Sequence, residues 1–88
     1  MRTPIFTKKF EKELEKCKSR GLKIEEIKVV MKKILQDTPL EVRYKNHTLS
    51  GNYVGCFECH IKPDWLLIYQ TTQDSVRLER TGTHSDLF

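Results

Sequence analysis

The spacing of the apolar residues changes near residue 40 from a helical period to a strand period. Before that point they recur every three or four positions, and after it they alternate with polar residues. A chain of 88 residues is long enough for one modest core. We therefore predict a single α+β domain over residues 1–88, in which helices come first and strands follow.

Two amphipathic helices are predicted in the first half. The first spans about Thr7 to Arg20 and is followed by Gly21, a residue type that commonly ends helices. The second is indicated by an apolar stripe at Ile24, Ile27, Met31, Ile34 and Leu35. Acidic residues in its first turn and Pro39 beyond its end support these limits. Because the connection is short, the two helices should form a hairpin.

Three strands are predicted in the second half. Residues 56–62 and 76–80 alternate between apolar and polar side chains, whereas 65–69 is apolar throughout, as in a central strand covered on both faces. Short polar turns separate the three, which favours an antiparallel meander. The predicted fold is an N-terminal helical hairpin packed on one face of a small, mainly antiparallel β-sheet.

The sequence leaves two features of this sheet undecided. Ile5-Phe6 and the stretch from Val42 to Tyr44 could each add an edge strand. Arg80 has the same strand parity as Val76 and Leu78, which should face the core. A charged side chain at that position requires a twist or bulge in the strand, or a place at the sheet margin.

The net charge of +4 is concentrated in the helical half, where residues 1–40 hold eleven Lys and Arg against six Asp and Glu. Such an excess attracts nucleic acid or an acidic protein. No apolar run is long enough for a membrane helix, and the first residues lack the apolar core of a signal peptide. We therefore expect a cytoplasmic protein without membrane contact, whose three cysteines are reduced.

The run Cys56-Phe57-Glu58-Cys59-His60 has the spacing of a covalent haem attachment site. In a strand, however, Cys56 and Cys59 point to opposite faces, and this also hinders zinc binding, which needs ligands converging on one point. We expect Cys59 to be a core residue and Cys56 a partly exposed one. No metal and no cofactor is predicted.

Groups suited to phosphodiester chemistry lie in the second half of the chain. They are His47, His60, Asp64, Arg80 and His84. Imidazole can take and give a proton near neutral pH, and arginine can stabilise a phosphate. Each histidine alone is more often a surface or packing residue, but all three fall in loops or at strand ends, where sites are built. Asp64 could orient an imidazole or exchange a proton itself.

Further residues are candidates for contacting RNA. Trp65 either belongs to the core or shapes a nucleotide pocket, and Phe88 could stack on a base if Leu87 anchors the tail. Lys8, Lys12 and Lys16 stand at i, i+4 steps in line with Arg20. This line is either a solvated face or a surface that grips an RNA backbone.

Three motifs together resemble a known family. They are Lys45-x-His47-x-Leu49-x-Gly51, His60-x-x-Pro63-Asp64-Trp65-Leu66-Leu67-Ile68-Tyr69 and Glu79-Arg80-Thr81-Gly82-Thr83-His84-Ser85-Asp86-Leu87-Phe88. The chain resembles the YafQ branch of the RelE/ParE superfamily, the endoribonuclease toxins of bacterial type II toxin–antitoxin systems. The resemblance implies the RelE-like microbial RNase fold.

The resemblance also implies residue roles and partners. His47, His60, Asp64 and His84 would form the acid–base group, Arg80 would hold the phosphate, and Trp65 and Phe88 would shape the nucleotide pocket. Lys45 belongs to the first motif and would contact the substrate. The implied activity is metal-independent cleavage of mRNA in the 30S decoding site of the ribosome, and a cognate antitoxin protein would neutralise it.

Two rival functions remain compatible with the sequence. A ParE-like toxin that inhibits gyrase would share the fold without needing the histidines. A small basic RNA-binding module would bind without cutting. Loss of toxicity on His84→Ala argues against the first, and analysis of RNA product ends separates the second.

Overall fold

The computed structural model describes residues 1–88 as five β-strands, three α-helices and two single-turn 3₁₀ helices. The strands are β1 Thr3–Phe6, β2 His47–Thr48, β3 Phe57–Lys62, β4 Trp65–Thr71 and β5 Ser75–Gly82. The α-helices are α1 Lys8–Ser19, α2 Ile24–Leu35 and α3 His84–Leu87. The 3₁₀ helices are Val42–Tyr44 and Gly51–Tyr53. None of the helices combines the length and apolarity that crossing a membrane requires.

The two predicted helices are confirmed. Thr7 caps α1, because its side chain accepts a hydrogen bond from the backbone N–H of Phe10. The chain leaves α1 through Gly21, whose φ of +88° favours a residue without a Cβ. α2 covers the predicted apolar stripe and carries Glu25 and Glu26 in its first turn.

The sheet has the strand order β1-β5-β4-β3-β2. Its last three strands in the chain, β3, β4 and β5, form the predicted antiparallel meander. β1 adds the expected edge strand at Ile5-Phe6, and it runs parallel to β5. The sheet is therefore mixed, with an antiparallel majority.

The expectation of an edge strand over Val42–Tyr44 is wrong. These residues form a 3₁₀ turn, and Lys45 ends it in the left-handed conformation at φ 47°. The turn lets the Tyr44 ring enter the core, where it is 7% exposed. The second edge strand instead forms at His47–Thr48 and pairs with β3.

The helical hairpin covers one face of the sheet, here called the helix face. The main core on this side consists of Phe10, Cys17, Ile27, Val30, Ile34, Tyr44, Cys59, Ile61, Trp65, Leu67, Tyr69, Val76 and Leu78. The opposite face, here called the open face, has a small cluster made by Cys56, Leu66, Ile68 and Leu87. β4 is thus buried on both faces from Trp65 to Tyr69, as its continuous apolar run predicts.

A β-bulge determines the position of Arg80. Ile68 of β4 pairs with Arg80, but the next residue, Tyr69, pairs with Leu78. Glu79 is therefore the extra residue of β5, and it reverses the strand parity beyond it. Leu78 stays on the helix face, while Arg80 lies beside Ile68 on the open face. Of the alternatives left open by the sequence, the bulge is the one observed.

Candidate active site

The strand register brings two histidines and one glutamate to the open face. His47 pairs with Glu58, and His60 pairs with Leu66. Directly paired residues of antiparallel strands share a face, and Glu58 and His60 are two positions apart on β3. All three side chains therefore lie on the side of the sheet that the helical hairpin leaves uncovered.

The three histidines form one row on this face. The His60 ring lies in the middle, with its centroid 6.3 Å from that of His47 and 5.7 Å from that of His84. His84 comes from the first position of α3, directly after β5. The structure thus brings together three imidazoles that are spread over nearly forty positions of the chain. We call them the histidine row.

Asp64 holds His84 in place. Its Oδ1 accepts a hydrogen bond from the His84 backbone N–H at 3.0 Å and lies 2.7 Å from His84 Nδ1. These bonds from His84 lower the pKa of the Asp64 carboxyl. An ionised Asp64 can only accept a hydrogen bond, so Nδ1 carries the proton and Nε2 is left for a substrate. Of the two roles open in the sequence, the geometry favours the orienting one.

Glu58 is a site residue that the sequence reasoning missed. It is 5% exposed, and its Oε1 lies 3.3 Å from His47 Nε2 and 3.6 Å from His60 Nε2. The Nδ1 of His47 lies 2.8 Å from the Lys45 carbonyl oxygen, to which it can donate. Glu58 is therefore placed to form an ion pair with either ring when that imidazole is protonated. Glu58 is two positions before His60 on the same strand, so the sequence pattern already placed both side chains on one face of the sheet.

Arg80 is held by a residue of α1. Its Nε donates to both oxygens of Glu13, at 3.2 and 3.1 Å, and its Nη2 also pairs with Glu13. Nη1 donates to the Tyr53 hydroxyl at 2.9 Å, and Nη2 contacts the Asp86 carbonyl oxygen at 3.3 Å. The Glu13 carboxylate raises the pKa of Arg80. One N–H of Nη1 stays free for a further acceptor.

Trp65 does not face the site, and this corrects the expectation that it shapes a nucleotide pocket. Its side chain is 1% exposed within the main core. Its Nε1 donates to the Thr81 hydroxyl at 2.9 Å, and that hydroxyl donates to the Leu66 carbonyl. Because Trp65 opens β4 on the helix face, its ring supports the sheet from behind. The alternative of a core ring is the one observed.

Phe88 is 65% exposed beside α3, and its ring contacts Tyr53 edge-on at a centroid distance of 6.0 Å. Leu87 is buried and anchors the tail, as the interpretation of Phe88 as a stacking surface requires. Because Arg80 donates to the same Tyr53, the arginine and the exposed ring belong to one group of contacts. A base stacked on Phe88 would therefore lie close to Arg80.

The basic residues of α1 divide into two groups. Lys8 and Lys12 are exposed and make no ion pair. Lys16 and Arg20 instead point to α3, where they pair with Asp86 at 3.7 and 2.7 Å. Lys45 is exposed and precedes the histidine row. The line of cations is therefore only partly available to an external ligand.

The cysteines lie outside the site, as expected. Cys59 belongs to the main core and Cys56 to the cluster on the open face, so the two thiols are on opposite sides of the sheet. Cys56 is more buried than predicted, at 7% exposure. Burial raises the pKa of Cys59 to about 12. No three His, Cys, Asp or Glu side chains converge as metal ligands.

A cleft of about 540 Å³ opens beside His60, between α2 and the β3–β4 turn. Arg43, Lys45 and Lys62 line it together with Glu26. The excess of positive charge in this cleft suits a phosphate backbone that continues from the histidine row.

Comparison with known proteins identifies the family. The sequence pattern of YafQ, the bacterial toxin of type II toxin–antitoxin systems, matches residues 2–88. The chain belongs to the YafQ family. An Escherichia coli K12 relative, named mRNA interferase toxin YafQ, is 36% identical over 84 residues, which is 94% of this chain and 91% of the relative.

Solved structures of bacterial toxins share the fold. The toxin in the E. coli DinJ–YafQ toxin–antitoxin complex superposes with a TM-score of 0.92 at 34% identity, covering 99% of this chain and 97% of that one. A metal-bound toxin from Helicobacter pylori superposes with a TM-score of 0.93 at 37% identity over the whole of both chains. The predicted α+β, RelE-like fold is confirmed.

Proposed function

We propose that this YafQ-family toxin cleaves mRNA at the histidine row, with Asp64 and Arg80 as its partners in the site. As a member of the family the chain is a type II toxin, and its E. coli relative is named an mRNA interferase. The observation that carries the assignment to this site is the convergence of three imidazoles on one open face, one of them held by a carboxylate. Neither rival function needs that arrangement.

The reaction is attack of a ribose 2′-hydroxyl on the adjacent phosphorus. A bond forms from O2′ to phosphorus while the bond to O5′ breaks, which produces a 2′,3′-cyclic phosphate and a 5′-hydroxyl. A base removes the 2′ proton and an acid protonates the departing O5′. His60 and His84 are neighbours with ring centroids 5.7 Å apart, which suits a pair that shares these two transfers. Asp64 orients His84 rather than serving as the acid.

Arg80 stabilises the negative charge of the pentavalent phosphorus in this proposal. Glu13 and Tyr53 hold the guanidinium on the open face, and its free Nη1 hydrogen is available to a phosphate oxygen. A donor already fixed in position needs no reorganisation during the reaction. His47 and Glu58 complete the site by supporting His60.

The RNA runs along the open face. One nucleotide stacks on the exposed Phe88, and the chain continues into the cationic cleft beside His60, where Lys45 contacts a phosphate. Lys8 and Lys12, which have no partners in this chain, contact ribosomal RNA when the toxin acts on messages in the 30S decoding site. Cleavage takes place in the bacterial cytoplasm.

A cognate antitoxin keeps the chain inactive until its release. The E. coli relative is seen in complex with DinJ. The net charge of +4 favours an acidic partner, because opposite charge speeds capture. We propose that this partner covers the histidine row.

The test is cleavage of a defined mRNA with and without ribosomes, with both product ends analysed. We expect ribosome-stimulated cuts that leave a 5′-hydroxyl, and a rate at least ~10²-fold lower for His84→Ala. Substrates with a 5′-bridging sulfur separate acid from base, because a thiolate leaves without protonation. Such a substrate should rescue only the variant that lacks the acid. Uncut RNA together with gyrase inhibition would overturn the proposal.

A further inference from the structure

The helix that carries His84 is too short to hold its own position. α3 has four residues, about one turn, and an isolated helix of this length is not stable in water. Leu87 anchors it on the apolar side. On its polar side, Asp64 accepts from the His84 backbone N–H at the first residue. A second anchor further along the helix opposes rotation about Leu87, which would move the His84 ring away from His60.

That second anchor is Asp86. Its Oδ2 accepts a hydrogen bond from the Thr83 backbone N–H at 3.0 Å and closes the capping box of α3. The same carboxylate accepts two hydrogen bonds from Arg20, at 2.7 Å from Nη1 and 3.3 Å from Nη2. Lys16 Nζ lies 3.7 Å away. One side chain therefore joins the start of α3 to the end of α1.

The Asp86 side chain lies close against the backbone at the end of β5. A Cβ added to Gly82 would meet the Asp86 side chain at 3.0 Å. α1 offers a firm support, because Phe10 and Cys17 bury one side of it in the main core. Arg20 also lies 66 positions from Asp86, so the bond joins distant parts of the chain.

We propose that Arg20 and Asp86 are positioning residues that hold α3 against α1 and thereby set the place of His84 in the histidine row. This inference rests on the proposed role of His84 in cleavage. According to this inference, Arg20 makes an internal contact. Its position in line with Lys8 and Lys12 would otherwise suggest that it binds RNA. Lys8 and Lys12 make no such contact.

The competing interpretation is that Arg20 binds an RNA phosphate and that Asp86 only occupies its guanidinium in the free protein. The two interpretations predict changes in different quantities: the rate constant of the chemical step, or the dissociation constant for RNA. Loss of a positioning residue lowers the rate of the chemical step, since misplacement by about 1 Å can cost ~10²-fold. Loss of an RNA contact weakens binding and leaves the step unchanged.

The experiment compares Arg20→Ala with Lys18→Ala, which removes the same charge from a neighbouring exposed position without an ion pair. Single-turnover rates give the chemical step, and RNA with a 2′-deoxy group at the cleavage position gives the dissociation constant. We expect Arg20→Ala to lower the rate at least ~10-fold and to change the dissociation constant less than ~2-fold. Lys18→Ala should change neither.

A second set of variants isolates the Arg20–Asp86 contact. Asp86→Asn keeps an acceptor for the cap but loses the charge, and Arg20→Lys keeps the charge. Asp86→Asn combined with Arg20→Ala should be no slower than the slower single variant, because both remove the same contact. Arg20→Lys should recover most of the lost rate.

Nitrogen-15 NMR of the His84 ring provides a readout independent of cleavage. We expect the Nδ1 resonance to shift in Arg20→Ala, where the bond to Asp64 is lost, and to stay in place in Lys18→Ala. An unchanged rate and resonance, or weaker RNA binding at an unchanged rate, would overturn the inference. So would global unfolding of both Arg20→Ala and Asp86→Asn. If the wild-type chain does not cut RNA, the proposed function fails and the NMR comparison still tests the contact.

Discussion

At the residue scale, hydrogen-bond partners decide what each candidate group can contribute. Asp64 receives two bonds from His84, so its geometry suits an orienting carboxylate. Arg80 donates to the Glu13 carboxylate, the Tyr53 hydroxyl and the Asp86 backbone carbonyl. It can therefore stabilise the fold as well as bind a phosphate. The residue type alone does not show which of these roles a side chain can take, because the role depends on its hydrogen-bond partners.

Removing Arg80 should lower the cleavage rate even when its structural partner is removed with it. Arg80→Ala alone leaves Glu13 without its counter-charge and destabilises the fold. Glu13→Gln combined with Arg80→Ala removes that unpaired charge, so we expect stability to recover while the single-turnover rate stays at least ~10²-fold low. Urea denaturation and cleavage kinetics measure the two effects. Recovery of both would mean that Arg80 is structural only.

Trp65→Phe should lower stability and leave catalysis intact. The change removes the hydrogen bond to Thr81 and leaves a small cavity in the main core, at a cost of about 1–3 kcal/mol. The cleavage rate per folded molecule should stay within ~3-fold of wild type, because the ring lies on the helix face. Thermal denaturation measures the loss of stability, and single-turnover assays measure the cleavage rate. A large rate loss in fully folded protein would restore Trp65 to the substrate pocket.

At the element scale, one irregular strand and one short helix shape the site. The bulge at Glu79 turns Arg80 to the open face, and α3 places His84 next to His60. Both devices lie at the end of β5, where regular sheet pairing gives way to contacts with α1. These two features place candidate catalytic groups at this end of the sheet, beside the main core.

The contribution of Asp86 to stability should depend on pH in one direction. Hydrogen bonds from Arg20, and then from the Thr83 backbone, hold the pKa of Asp86 well below its usual range. A lowered folded-state pKa means that this contribution is complete above the unfolded pKa of about 4 and is lost as pH falls through the lower folded value. The urea-midpoint difference between wild type and Asp86→Asn should be constant from pH 7 to 5 and shrink below pH 4. A difference that vanishes near pH 6 would contradict this assignment.

At the scale of the whole molecule, one face of the sheet carries the main core and the other carries the candidate site. The helix face contains most of the apolar side chains and provides the stability. The open face carries the histidine row, with only a small apolar cluster beneath it. The charged and titratable groups of the site therefore lie outside the main core, even where, like Glu58, they are buried.

Cleavage should persist in excess EDTA. The proposed reaction moves protons between imidazoles and balances charge with Arg80, so none of its steps needs a metal ion. The metal-bound H. pylori relative makes the experiment informative. The rate should change less than ~2-fold on chelation, and His84→Ala in the same buffer controls for contaminating nucleases. Activity that is lost in EDTA and restored by a divalent metal would refute the metal-independent mechanism.

The element order, the meander and the opposed faces of Cys56 and Cys59 could be predicted from the sequence. These follow from side-chain periodicity, which is a local property of helix and strand. The family motifs likewise marked the histidines as candidates, and the structure brings all three together.

The neighbours of these groups depend on tertiary packing and could not be predicted from the sequence. Glu13 reaches Arg80 from 67 positions away, and Arg20 reaches Asp86 from 66. The Trp65 ring turns to the helix face because Thr81 and the main core receive it there. Such contacts depend on how helices pack against a sheet, and on a single bulged residue, Glu79, that reverses a strand's parity. No local pattern carries that information, because it arises only when distant segments compete for the same space.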